Sequence, residues 1–238
     1  MTDTVLDFGF YNMDCLEGMK HFPDKYFDLA IVDPPYGGGG AVDANDSFNG
    51  SLTGRFGGKF ERYFGNDKRG HMCGGHAKKY SYGHWDIAPD KTYFEELFRV
   101  SKAQIIWGGN YFELPPTRCF LIWKKLSISE NFTMAMAEYA WTSFNDNAKI
   151  FECAPQGKKG ERFHPTQKPV ALYEWILNKY AKKGDIILDT HVGSASSLIA
   201  CRNTNHKYVG FEIDPNYYRL ASDRLNRETA QMNIFDFM

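Results

Sequence analysis

Residues 27–40, FDLAIVDPPYGGGG, restrict the folds open to this chain more than any other stretch. Leu29, Ala30, Ile31 and Val32 form a short apolar run bounded by turn residues, the pattern of a strand buried in an α/β sheet. Pro34 and Pro35 cannot donate to a sheet ladder, so the strand has to end there. A carboxylate, Asp33, and an aromatic ring, Tyr36, are left at its carboxyl end, where open α/β sheets bind ligands. A plain strand followed by a proline–glycine turn is the competing reading, and the rest of the chain has to separate the two.

The flanking segments repeat the α/β rhythm. A strand over 8–11, a helical turn over 16–21 and the strand over 27–33 form one βαβ unit. Asp90 is placed to cap a helix over 91–101 that has Tyr93, Phe94, Leu97 and Phe98 on one face. Further strands are predicted over 103–107, 120–123, 138–144 and 149–153, the last two antiparallel. A helix opens at HPTQKP (164–169) and runs to Lys182, burying Val170, Leu172, Tyr173, Ile176 and Leu177. Strands over 186–189 and 208–211 enclose a helix over 198–202. A last helix runs over 216–227, with a loosely tied tail from Thr229.

Residues 37–83 break this pattern with frequent glycine and interleaved aromatic and basic residues, and a loop of that length in a compact domain is usually functional or disordered. The net charge of the chain is −1, so its overall balance announces no nucleic-acid partner. Its distribution says more. Between Asp46 and Tyr80, seven basic residues (Arg55, Lys59, Arg62, Lys68, Arg69, Lys78, Lys79) face three acids, an excess that suits a phosphate backbone. His71, Cys73, His76 and His84 lack a second cysteine at ligand spacing, so no metal is expected. The five cysteines are scattered and odd in number, which fits a reducing compartment better than a disulfide framework. No membrane-spanning or signal-peptide pattern is present, and a cytoplasmic location is expected.

A second region has a ligand-binding layout. The predicted strand ending at Asp189 runs through Thr190, His191, Val192, Gly193, Ser194 and Ala195 into a helix, which brings backbone N–H groups up to a nucleotide-like ligand. Glu212 ends the next strand 19 residues after Gly193, near the offset of about 20 at which an acid meets ribose hydroxyls in dinucleotide folds. The G-x-G-x-x-G pattern is missing, however. A nicotinamide-dependent oxidoreductase is therefore a distant alternative, and a ribose-bearing ligand without phosphate fits better.

Taken together, Asp33-Pro34-Pro35-Tyr36, HPTQKP at 164–169, LDTHVGSAS at 188–196, VGFEID at 209–214 and Asn12-Met13-Asp14 resemble the motifs of the β-order DNA amino-methyltransferases. They occur in that family's order across nearly the whole chain, most like the small phage- and prophage-type adenine methylases. The resemblance implies one Rossmann-like α/β domain over 1–238. It would be a mostly parallel seven-stranded methyltransferase sheet in circularly permuted motif order, with DNA-contacting loops at about 37–83 and 124–163. It implies S-adenosylmethionine as cofactor, double-stranded DNA as partner and a bacterial, phage or prophage origin. A homodimer and a cognate restriction endonuclease are both compatible with it.

The roles it implies are specific. A target base would be flipped out of the duplex, Tyr36 would stack on it, and Asp33 and the Pro34 carbonyl, with Pro35 completing the motif, would accept the two hydrogens of adenine N6. His164, Thr166 and Lys168 would hold the methionine end of the cofactor. Asp189, Thr190, Gly193 and Ser194 would line its loop, Glu212 would take the ribose hydroxyls, and Asp14 would touch the adenine edge or else cap the helix that follows. Asp rather than Ser at position 33 favours adenine, with cytosine N4 as the first alternative and a catalytically silent DNA-binding protein as the second. Ala195 departs from the family, which commonly has glycine there. Its methyl comes where backbone and ligand should be close and forbids a strongly positive φ. The change is tolerated if that residue is already helical, and cofactor affinity is the property most exposed to it.

Overall fold

The computed structural model describes residues 5–36, 87–129, 135–155 and 162–235. Strand β1 (Gly9–Asn12) leads into α1 (Cys15–Met19), then β2 (Phe27–Val32). Asp14 caps α1 by accepting the Glu17 N–H at 3.1 Å. After the undescribed 37–86 come α2 (Lys91–Val100), β3 (Ser101–Trp107), a 3-10 turn (Gly109–Tyr111), β4 (Phe120–Lys125), β5 (Ala137–Thr142) and β6 (Lys149–Cys153). The chain ends with α3 (Val170–Tyr180), β7 (Ile186–Asp189), α4 (Ser196–Asn203), β8 (Lys207–Glu212) and α5 (Pro215–Phe235). Asp90 caps α2 as predicted, accepting the N–H groups of Thr92 and Tyr93.

The strands form one sheet in the order β1-β8-β7-β2-β3-β5-β4-β6. It has eight strands, not seven, because β6 adds a further edge beyond β4. Only β5 runs against the others among the described strands. It pairs antiparallel with both β3 and β4, whereas β6 lies parallel to β4 and so departs from the antiparallel expectation. The short connection from β5 turns the chain back, and β6 then lands on the far side of β4. The last helix also exceeds its predicted end at Arg227 and continues to Phe235, since residues 228–235 contain no glycine or proline to stop it.

Helices cover both faces of the sheet. Tyr93, Phe94, Leu97 and Val100 of α2 and Met19 of α1 pack on Phe27, Ala30, Val32 and Ile106. Leu172, Tyr173, Ile176 and Leu177 of α3 pack on Leu29, Ile31, Ile105 and Trp107 of the opposite face. The alternation of Leu29 and Ile31 against Ala30 and Val32 explains why β2 reads as a continuous apolar run: it is buried on both sides. Arg99 ties the first layer together by donating to the carbonyls of Phe22 (3.0 Å) and Met19 (3.3 Å) while pairing with Asp24 and Glu96.

Gly18 tests this packing. A Cβ there would lie 2.4 Å from the ring of Phe211, which is fully buried in β8. Gly18→Ala is expected to lower stability by about 1–2 kcal/mol, because overpacking at about 1–3 kcal/mol outweighs a helix-propensity gain of about 1. A rise in the urea midpoint would contradict the described packing.

Candidate active site

The functional side chains meet because parallel strands end together. Register sets Asn12 opposite Glu212, and Asp189 opposite Gly210, along one edge of the sheet. Asp33 follows the end of β2 on the same edge. From β2 the chain goes on to β3 on one side, while β7 leads through α4 to β8 on the other. The crevice between β7 and β2 is therefore the topological switch point, where such sheets take their ligands. Reversed β5 contributes its first residues to this edge. Glu138 lies opposite Trp123, one turn of the pleat from Lys125 at the end of β4.

Asp33 is the most heavily engaged group of the edge. Its Oδ1 accepts the Tyr36 hydroxyl at 2.8 Å, and its Oδ2 is paired with the ammonium of Lys168. Lys168 is buried and also meets Glu138 Oε2 at 3.2 Å, while Lys125 meets Glu138 Oε1 at 2.7 Å. Burial works against the charge on Lys168, but Asp33 and Glu138 outweigh it and hold its pKa above the usual lysine value. Burial likewise opposes the charge on Glu138, and the two lysines hold its carboxyl below the ordinary range. The Tyr36 ring is stacked on Tyr111 with centroids 4.6 Å apart, and a Cβ on Gly108, whose φ is +65°, would lie 2.0 Å from it. Only glycine fits at Gly108.

The loop after β7 forms the second half. Burial raises the Asp189 carboxyl to about 7, although it accepts from the Ser197 hydroxyl and the His191 N–H. Thr190 Oγ1 sits 2.6 Å from the Tyr93 hydroxyl and 2.9 Å from His191 Nδ1, so α2 reaches across to this loop. Glu212 accepts the N–H of Gly193 and of Asp214, each at 2.9 Å. His164 closes on Gly193, where an added Cβ would lie 3.1 Å from the imidazole, and burial pushes its pKa down to about 3. Thr166 Oγ1 is 3.1 Å from His164 Nδ1.

Ala195 has the positive φ that its methyl is expected to forbid. Its φ of +62° and ψ of 19° are left-handed. The strain is held from two sides. Its buried methyl packs with Val192, Leu198, Ile199, Ala221 and Leu225. Arg224 donates to Ser194 O at 2.8 Å and Ser196 Oγ at 2.9 Å on either side of it.

Thus Asp33, Tyr36 and Lys168 gather at the end of β2, and Asp189, Thr190, Gly193, Glu212 and His164 gather about the loop after β7, with Thr166 exposed and Ser194 engaged by Ser196 and Arg224. Asp14 is the cap of α1, the turn role weighed for it. Arg55, Lys59, Arg62, Lys68, Arg69, Lys78 and Lys79 lie outside the described residues, as do His71, Cys73, His76 and His84. Of the other segment expected to touch DNA, 124–163, β5 and β6 belong to the sheet. Sequence reasoning passed over Tyr93, Lys125, Glu138 and Arg224. Arg224 had a signal: it shares the buried face of α5 with Tyr217, Ala221 and Leu225 at helical spacing.

A family model described as DNA methylase matches residues 78–223. The chain is also 33% identical to YubD of Escherichia coli K12 over 241 positions, 91% of this chain and 89% of that one. This chain belongs to the DNA N6/N4 methylase family. The Type II methyltransferase M.HpaI of Haemophilus parainfluenzae is 40% identical over 78 residues, 33% of this chain and 24% of that protein's length. Among solved structures, M1.HpyAVI in complex with SAM superposes with a TM-score of 0.53 at 18% identity, covering 90% of this chain and 98% of that one. The cytosine-N4-specific PvuII DNA methyltransferase gives 0.55 at 13% identity, covering 97% and 93%. At these identities the structures show a shared fold.

Ala195→Gly is expected to be nearly neutral. Relief of about 1–2 kcal/mol of left-handed strain is offset by a lost buried methyl of about 0.8 kcal/mol and by unfolded-state entropy of about 0.4–1 kcal/mol. Ala195→Val should cost at least about 2 kcal/mol, combining β-branched strain with overpacking. Equal urea midpoints for Val and Ala would contradict the left-handed assignment.

Proposed function

We propose that this chain transfers a methyl group from S-adenosylmethionine to the N6 amine of adenine in double-stranded DNA. The observation that carries the reading is the placement of Asp33 and Tyr36 at the end of β2, across the switch point from the loop after Asp189 and from Glu212 at the end of β8. Asp189, Glu212 and that loop together offer two buried carboxylates and backbone N–H groups. Such a set repels a pyrophosphate and suits a cationic ligand with ribose hydroxyls. The indole N–H of Trp107, buried at the same edge, has no acceptor among the described residues, so a ligand oxygen would be welcome there. The residues present thus fit the cofactor.

When bound, the cofactor supplies an electrophilic methyl carbon on a sulfonium. Glu212 would accept its ribose hydroxyls, through lone pairs not used by Gly193 and Asp214, and Asp189 would face its cationic end. Tyr36 presents a ring face that already takes a flat partner, Tyr111, at a 21° interplanar angle, the geometry a flipped base needs. Asp33 and the Pro34 carbonyl would accept the two amine hydrogens. An aromatic amine is a weak nucleophile because its lone pair is spread into the ring. Two fixed acceptors concentrate that pair on nitrogen and stabilise the positive charge that grows there. With the cofactor bound, the N–C bond would form as the S–C bond breaks and the sulfur leaves as a neutral thioether, and the extra amine proton would pass afterwards to solvent. Burial and the neighbouring Asp33 raise the Tyr36 phenol, so it stays a neutral donor to Asp33.

Cytosine N4 is the second reading, because it carries the same kind of amine and one structural neighbour is named cytosine-N4-specific. Asp rather than Ser at position 33 favours adenine. The test is transfer from tritiated S-adenosylmethionine to unmethylated genomic DNA, followed by nucleoside analysis. Label is expected in N6-methyladenine, falling by about 100- to 1000-fold in Asp33→Ala. Label in N4-methylcytosine would replace the substrate and keep the chemistry. Absence of label from the wild-type chain would sink the reading.

A further inference from the structure

Two charged residues at the catalytic edge have no place in the reaction described so far. Lys125 and Glu138 stand at the adjoining ends of β4 and β5, with side chains 6% and 27% exposed. A lysine that buried is rarely tolerated without a partner, and its partner is Glu138 at 2.7 Å. Glu138 passes its other oxygen to Lys168, which is paired in turn with Asp33. The four side chains form a line of alternating sign that ends on the carboxylate facing the proposed base site. Each ammonium also lies against an indole, Lys125 at 5.1 Å from the Trp123 ring centre and Lys168 at 5.3 Å from that of Trp107. Both lysines are thus confined on their apolar sides as well.

We propose that Glu138, held by Lys125, is a positioning residue that fixes the ammonium of Lys168 and, through it, the orientation and charge balance of Asp33. The proposal rests on the reading of Asp33 as an acceptor of the base amine. Two cations and two anions sum to zero, so the line adds no net charge beside a nitrogen that becomes positive. Without Glu138 the sum is +1, and that charge opposes the one growing on the amine. Lys168 would also belong wholly to Asp33, whose oxygens would be poorer acceptors for the base. An ammonium shared between two carboxylates leaves Asp33 fixed in place and still able to accept.

The experiment compares kcat and KM for S-adenosylmethionine and for DNA in the wild type, Glu138→Gln, Glu138→Asp, Lys168→Met and the double variant Glu138→Gln/Lys168→Met. Glu138→Gln should lose roughly 10- to 100-fold in kcat, with both KM values within about threefold of wild type. Glu138→Asp should recover part of that loss. In the Lys168→Met background the Glu138→Gln change should cost less than about threefold, because it acts through the missing ammonium. An active wild type with unchanged kcat in Glu138→Gln overturns this proposal alone, as does full additivity in the double variant. So does a loss confined to the KM for S-adenosylmethionine, which would assign Lys168 to the cofactor. A wild type that methylates no DNA overturns the underlying reading as well. Should Glu138→Gln fail to fold, Lys125→Met releases Glu138 from its anchor and is judged by the same kcat criterion.

Discussion

The burial of one ammonium between two carboxylates is the constraint on which the catalytic edge depends. Lys168 has a side chain only 2% exposed, and Asp33 and Glu138 meet it from different strands. Desolvating a charge of this kind costs several kcal/mol, and mutual attraction offsets that only when geometry is good on both sides. Such a pair is therefore poor evidence for stability as such. Its value is positional: Asp33 cannot swing away without leaving two buried lysines, Lys125 and Lys168, to share the single carboxylate of Glu138. In the proposed reaction Asp33 meets the base amine, and a carboxylate with that task gains from being held in this way.

The sheet supplies the geometry. Parallel strands deliver Asn12, Asp33, Trp107, Asp189 and Glu212 to one edge, and β5, the one reversed strand among those described, brings Glu138 to that edge by its beginning rather than its end. The helices behind complete the arrangement. The α2 helix sends Tyr93 to Thr190, α3 begins beside Lys168, and α5 sends Arg224 to the loop around Ala195. The left-handed Ala195 shows that this loop is shaped by packing as well as by local preference. Its methyl serves the cluster beneath α4 and α5, which is a use that glycine could not have.

Much of this was legible in the sequence because it is local. The apolar run of β2, its proline stop, the caps Asp14 and Asp90, and the strand–loop–helix at 186–203 all follow from short-range rules. The motif order carried the family and the crevice. What escaped were long-range facts. Lys125 and Glu138 lie 43 and 30 residues from Lys168 and farther still from Asp33, and nothing in their own neighbourhoods marks them beyond a charge at a strand end. The eighth strand and the direction of β6 depend on where a short connector lands, which periodicity does not encode. Ala195 misled for a related reason: its left-handed backbone is accompanied by long-range contacts, the packing of its methyl against α5 and the bonds of Arg224, 29 residues away, to Ser194 and Ser196.

The most direct measurement is the titration of Lys168 itself, followed through the 13C signals of the lysine Cε carbons and assigned by the signal lost in Lys168→Met. Paired with Asp33 and Glu138, the Lys168 ammonium should keep its proton as the pH rises past about 10.4, where solvated lysines lose theirs. Stability contributed by its charge would be complete below about 10.4, the unfolded-state value, and would decline as the pH rises from there towards the raised folded value. A Lys168 signal that titrates with or before the surface lysines would contradict the shared ammonium, and with it the account of how Asp33 is held.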